Sequence, residues 1–204
     1  LHTLKTKRSF LNSFEREVIS NIKEAHLKIP NNSEKRKIFF FNLSKNLRTQ
    51  TGQNLNVSRG IQNSLLYIKK MKELIKLFEV PEQLLTIPFL ESSFNIKAKS
   101  KVGATGTWQF MRFIGKAYMT INKRVDHRLN PLLASLSGLQ MLKQSRKILK
   151  RWDLSIMAYN SGTKHIIKAK RQLSKSNMTI EDMLKNYKHP HIGFASRNFY
   201  SSFL

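Results

Sequence analysis

Thr86-Ile87-Pro88-Phe89-Leu90-Glu91-Ser92-Ser93-Phe94 is the stretch on which the reading of this chain turns. An apolar run leads into one carboxylate. A small, glycine-bearing, aromatic segment follows: Gly103-Ala104-Thr105-Gly106-Thr107-Trp108-Gln109-Phe110-Met111. A glutamate at the end of a buried-looking helix loses water, and desolvation disfavours its charged form. A carboxyl that keeps its proton near neutral pH is what a general acid requires.

Outward from this stretch the pattern is helical almost throughout. Apolar residues recur at helical spacing over 10–27, ended by Ile29-Pro30, and Asn31-Asn32-Ser33-Glu34 offers caps for a helix over 35–47. The polar stretch 49–56 reads as a loop and as the best domain boundary. One long helix is expected over 58–78, with Ile61, Leu65, Leu66, Ile68, Met71, Leu74, Ile75 and Phe78 as its apolar stripe. Pro81 opens a helix over 82–91 that carries Glu91 at its end. Further helices are expected over 109–117, 131–150, 152–159, 163–173, 179–186 and 194–203. Ile38-Phe39-Phe40-Phe41 has some strand character, but its flanks favour helix. The expected class is all-α, with a helical extension over 1–55 and a second domain over 56–204.

Composition narrows the function. The chain has 204 residues and no cysteine, so disulfides, thiolate nucleophiles and Cys-based zinc sites fall away. No apolar run approaches the roughly 20 residues that span a bilayer. The net charge is +25, from 37 Lys and Arg against 12 Asp and Glu. Such charge speaks to partners: nucleic acid, an anionic membrane or an acidic wall polymer. The basic residues are spread along the chain rather than gathered in one arm.

With so few acids, elimination works. Glu15, Glu17, Glu24 and Glu34 lie on polar faces, and Glu73, Glu79 and Glu82 sit among lysines or at helix ends. Glu181 and Asp182 suit a helix first turn, while Asp126 and Asp153 lie in polar turns where they cap or pair with arginine. Only Glu91 follows apolar residues and precedes a hydroxyl-bearing segment. On this ground alone a structural helix-end role for Glu91 remains open. His189-Pro190-His191 is expected to be a surface loop rather than a metal site, and no cofactor motif is present.

Four ordered motifs carry a resemblance. They are Glu91-Ser92-Ser93-Phe94-Asn95; Ser100; Gly106-Thr107-Trp108-Gln109-Phe110-Met111; and Ala158-Tyr159-Asn160-Ser161-Gly162. Asp126-His127-Arg128-Leu129-Asn130-Pro131 adds a D-x-R-x-D-P-like segment. Together they resemble the soluble-lytic-transglycosylase domain of glycoside hydrolase family 23, which also holds the goose-type lysozymes. The branch most similar is the membrane-bound lytic transglycosylase D type, over roughly 56–204.

The resemblance implies a lysozyme-like helical fold and a monomeric enzyme of the periplasm or exterior, its leader removed, acting on peptidoglycan without nucleic acid or cofactor. Glu91 is then the sole acid/base at the β-1,4 bond between N-acetylmuramic acid and N-acetylglucosamine. Ser100 would hydrogen-bond that glutamate. Gln109, Phe110, Met111, Tyr159 and Asn160 would bind substrate. The expected product is the 1,6-anhydro sugar; the alternative is a hydrolysing lysozyme of altered specificity, for example for de-N-acetylated glycan. Several positions depart from the family pattern. Ile96, Thr107 and Asn130 replace proline, leucine or isoleucine, and aspartate. Ala195 and Phe199 stand where the E-T-R-x-Y segment has its glutamate and tyrosine. Competing classes are a basic helical nucleic-acid binder and an inactive wall-binding module.

Overall fold

A computed structural model describes residues 13–24, 27–46, 53–190 and 192–204. The chain divides into two compact units, Leu1–Thr51 and Gly52–Leu204. In the first, α1 (Ser13–Glu24) and α2 (Ser33–Asn46) are described. Asn32 caps α2, its Oδ1 accepting from the Lys35 amide at 3.1 Å. Val18, Ile22 and Phe40 form a small core here. The residues with strand character thus lie in a helix.

The second unit contains α3 (Gln53–Ser64), α4 (Ile68–Phe78), α5 (Ile87–Ser92), α6 (Arg112–Lys116), α7 (Pro131–Leu149), α8 (Trp152–Ser161), α9 (Thr163–Gln172), α10 (Ile180–Asn186) and α11 (Phe194–Phe203). Short 3-10 turns cover Glu82–Thr86 and His127–Leu129. Among the described residues β-pairing is limited to isolated bridges, Lys99 with Thr105, Thr105 with Phe110 and Ile121 with Asp126. The chain is all-α.

The central helix α7 begins where the sequence says it should. Pro131 fills its first turn, and Asn130 Oδ1 accepts from the amides of Leu132 and Leu133, both at 3.1 Å. The cap needs only a side-chain oxygen, which an asparagine supplies as well as an aspartate. Small residues on α7, notably Ser135 and Gly138, make a bed for the fully buried Trp108. A Cβ on Gly138 would stand 2.4 Å from the indole ring. The indole N–H donates to Ser135 Oγ at 2.9 Å, so the largest core side chain is both packed and satisfied. A second core gathers Leu154, Met157, Ala158, Ile166, Met183 and Tyr187.

Three expected elements differ. The helix expected over 58–78 is two helices joined by a turn at 65–67. Gly60 brings α3 to the Ser93 carbonyl, 3.1 Å from where a Cβ would lie, whereas Met71 and Ile75 of α4 point into the core. One straight rod cannot serve both contacts, and Leu65 and Leu66 at the bend are left exposed. The expected 82–91 helix is a 3-10 turn followed by α5, since Pro88 has no amide to continue an earlier helix and sits in a first turn instead. The 109–117 helix begins only at Arg112, because Gln109 is left-handed (φ 47°) and Met111 is extended. The loop expected over 49–56 lies outside the described residues up to 52, and α3 already runs from Gln53.

Candidate active site

Glu91 is the penultimate residue of α5. That helix stops abruptly because Ser93 (φ 48°) and Phe94 (φ 56°) both take the left-handed conformation. Their amides fold back onto the Phe89 and Pro88 carbonyls at 2.9 and 3.1 Å, satisfying the helix end. Phe94 is fully buried, and its ring packs against Phe89 and Tyr67 at centroid distances of 5.2 and 6.4 Å. Two strained non-glycine residues are thus held by an aromatic anchor directly behind Glu91.

The loop 98–110 is joined to the end of α5. Ser92, next to the carboxylate, donates through Oγ to the Thr107 carbonyl at 2.9 Å and ties α5 to this loop. Tyr159 of α8 donates to the Trp108 carbonyl at 2.6 Å. Its ring meets those of Trp108 and Phe110 edge-on at 5.9 and 6.1 Å. The Gln109 amide donates to the Gly106 carbonyl at 2.9 Å. Arg128, almost wholly buried, pairs with Asp126 at 2.7 Å and donates through Nη1 to the Gly103 and Phe110 carbonyls at 3.1 and 2.9 Å. Gly106 (φ 80°) passes so close to Arg128 that a Cβ would lie 1.8 Å from its carbonyl oxygen.

The electrostatics single out one group. Burial pushes the Glu91 carboxyl from 4.5 up to about 7. The side chain is half-buried, so a proton can still pass to a ligand. Tyr159 is also pushed well above the ordinary tyrosine value, by burial first and by the Glu91 charge second. The two groups therefore feel one another, and Tyr159 stays a neutral donor. Asp126 is held below its ordinary value chiefly by its hydrogen bonds to Arg128. That carboxylate is committed to the scaffold.

The other expected site residues fall into distinct positions. Ser100 Oγ accepts from the Ala104 amide at 3.0 Å and closes the loop tip; among the described residues no hydrogen bond joins it to Glu91. Phe110 is 3% exposed and belongs to the core, which leaves no face for a sugar. Its neighbour Met111 is 42% exposed. Asn160 is exposed at the end of α8. His189 stacks on Tyr187 with ring planes 3° apart, and His191 lies outside the described residues. Among the described residues no three His, Asp or Glu gather to hold a metal. Ser92 and Arg128 carry positioning roles that the motif reading did not single out. A carboxylate two residues before Arg128 was the one local hint.

The second unit thus holds one carboxyl with a raised value beside a loop tied down through its backbone carbonyls. The chain belongs to the transglycosylase SLT domain family, whose model matches residues 70–180, and so has that family's lysozyme-like helical fold. It is similar to membrane-bound lytic murein transglycosylase D of Escherichia coli strains K12 and O6:H1 CFT073, at 30% identity over 97 residues in each case. The match covers 47% of this chain and 22% of those relatives, so the chain spans under a quarter of their length. Among the described residues no helix is long and apolar enough to cross a membrane.

Proposed function

We propose that this chain is a peptidoglycan-cleaving lytic transglycosylase whose one catalytic acid/base is Glu91. The observation that carries the reading is the carboxyl raised to about 7 by burial alone, in the motif and family where an acid is needed. Protonated Glu91 donates to the glycosidic oxygen between N-acetylmuramic acid and N-acetylglucosamine. Most glycosidases use a second carboxylate. Here the muramyl 2-acetamido oxygen attacks the anomeric carbon as the bond breaks. Ionised Glu91 then takes the proton of the muramyl 6-hydroxyl, whose oxygen closes the 1,6-anhydro ring and releases the acetamido group.

In this reading Tyr159 and Gln109 hold the loop beside Glu91, and Met111 and Asn160, both exposed, contact the sugar. The domain 56–204 carries the chemistry, and 1–55 is an added helical segment. The +25 charge suits a wall rich in stem-peptide carboxylates, in the periplasm or outside the cell, and the enzyme works there as a monomer.

A second reading rests on Ala195 and Phe199. Ala195 is exposed and Phe199 is buried, so a charge and a hydroxyl are missing beside a retained Arg197, which braces the Leu184 and Tyr187 carbonyls. An altered rim suits altered glycan recognition, including de-N-acetylated strands. Such strands lack the internal nucleophile and would have to be hydrolysed.

Mass spectrometry of digested sacculi tests both readings. Products lighter by one water are expected, and Glu91→Gln should release none. Products of full hydrolysis from de-N-acetylated strands alone would favour the second reading. Retained DNA binding with no lysis by the unmodified chain would point instead to a nucleic-acid binder.

A further inference from the structure

Two tight turns bring cations and bare valines to one place. In the first, the Gly103 amide donates to the Ser100 carbonyl at 3.0 Å, so Lys101 and Val102 are its central residues. Ser100 Oγ accepts from the Ala104 amide at 3.0 Å and fixes the turn. In the second, the Asn122 amide donates to the Val125 carbonyl at 2.8 Å, which leaves Lys123 and Arg124 at the tip. Asn122 Oδ1 accepts from the Arg124 and Val125 amides, both at 2.8 Å, so this turn is fixed as well. One guanidinium holds the two together. Arg128 donates to the Gly103 carbonyl at 3.1 Å and pairs with Asp126, next to Val125, at 2.7 Å. We infer that the joined turns form a docking knob for the surface of an anionic lipid bilayer.

The apolar groups choose the partner. Val102 is 74% exposed and Val125 is 40% exposed. A single valine in water needs no explanation. Here two stand on joined turns, each next to a cation in sequence, and the turn geometry holds them out. A polyanion in solution would use the cations and leave the valines idle. A bilayer uses both: cations meet the headgroup phosphates, and short aliphatic tips enter the headgroup–acyl boundary.

Charge agrees. Lys99, Lys101, Lys123 and Arg124 are all exposed, and among the described residues none of them has an ion-pair partner. Asp126 is the one acid between 92 and 152, and Arg128 already claims it. The knob therefore presents positive charge alone. A second copy of a +25 chain would be repelled from it, whereas an anionic leaflet attracts it, less so as salt rises.

The test is co-sedimentation of the full chain with vesicles of mixed phosphatidylglycerol and phosphatidylcholine, and with phosphatidylcholine alone. Binding is expected to the mixed vesicles only. Lys101→Gln with Arg124→Gln should weaken it by roughly fivefold for each cation lost. Lys147→Gln with Lys168→Gln removes the same charge from α7 and α9 and should leave it nearly unchanged. Val102→Trp puts a reporter at the tip, and its fluorescence should shift to the blue on mixed vesicles. Every substituted side chain is exposed, so the fold is kept.

No binding to mixed vesicles would overturn the knob. So would equal loss in the two double variants, which would make the attraction general to the chain. Binding to polyphosphate as tight as to vesicles, with no blue shift, would assign the cations to a soluble polyanion and overturn it too. Glu91→Gln should bind vesicles like the parent, so the outcome is separate from that of cleavage.

Discussion

The Tyr159 hydroxyl donates to the Trp108 carbonyl at 2.6 Å while the Glu91 charge helps hold that hydroxyl protonated. One side chain therefore links the acid to the loop beside it. Tyr159→Phe removes the donor and leaves a carbonyl unsatisfied, at a cost of about 1–3 kcal/mol. Chemical denaturation should show that loss. Cleavage should fall further than stability alone explains, because the Trp108–Gln109 backbone is released. A Tyr159→Phe protein with full activity would remove Tyr159 from the site.

Glu91 predicts the pH behaviour of both rate and stability. In the proposed mechanism Glu91 acts in its protonated form, so cleavage should decline as pH rises through about 7. For stability the sign is the reverse of a salt-bridged carboxylate. A value raised from 4.5 to about 7 means that ionising Glu91 costs more in the folded state, so the penalty is absent below 4.5 and complete above 7. Glu91→Gln should therefore be inactive yet more stable than the parent at pH 8, by roughly 2–3 kcal/mol. At pH 4 the two should melt together. Equal melting at both pH values would show that Glu91 is well solvated.

Arg128 should be the most sensitive scaffold residue. Its loss strands Asp126 and two loop carbonyls, and breaking a buried ion pair costs about 3–5 kcal/mol. Arg128→Lys should recover little, since an ammonium cannot reach all three acceptors in fork geometry. The Asp126 value is depressed, so the pair stabilises above the ordinary carboxylate value of 3.8 and fades as pH falls through the lowered one. Acid melts of the parent and of Asp126→Asn check this; the acid-induced loss should be smaller in the variant.

Thr107 is 1% exposed, and among the described residues its Oγ1 has no hydrogen-bond partner. Thr107→Val keeps the shape and removes the desolvated oxygen, so stability should rise by about 1 kcal/mol. A fall on thermal or urea unfolding would mean that the hydroxyl has a partner after all.

The long elements were legible because their signals are local. Asn130-Pro131 marked the start of α7, and apolar neighbours marked Glu91 as the acid whose value rises. What was illegible depends on contacts distant in sequence. Helix periodicity over 109–117 cannot report that the Phe110 carbonyl is claimed by Arg128, eighteen residues on. Phe110 and Met111 looked alike as sugar contacts, yet adjacent residues of an extended segment face opposite ways, so one is core and the other surface. The split of 58–78 reflects Gly60 and Met71 meeting different partners, which no single stripe encodes.

The loop 98–110 is gripped mainly through its main-chain oxygens. Ser92 holds Thr107, Tyr159 holds Trp108, Gln109 holds Gly106, and Arg128 holds Gly103 and Phe110. Every residue type presents the same carbonyl. The exposed positions Lys99, Lys101 and Val102 are therefore free to change without loosening the grip. The tip of the loop can thus vary in sequence, whereas Gly106, where a Cβ would meet the Arg128 carbonyl, and the buried Trp108 cannot.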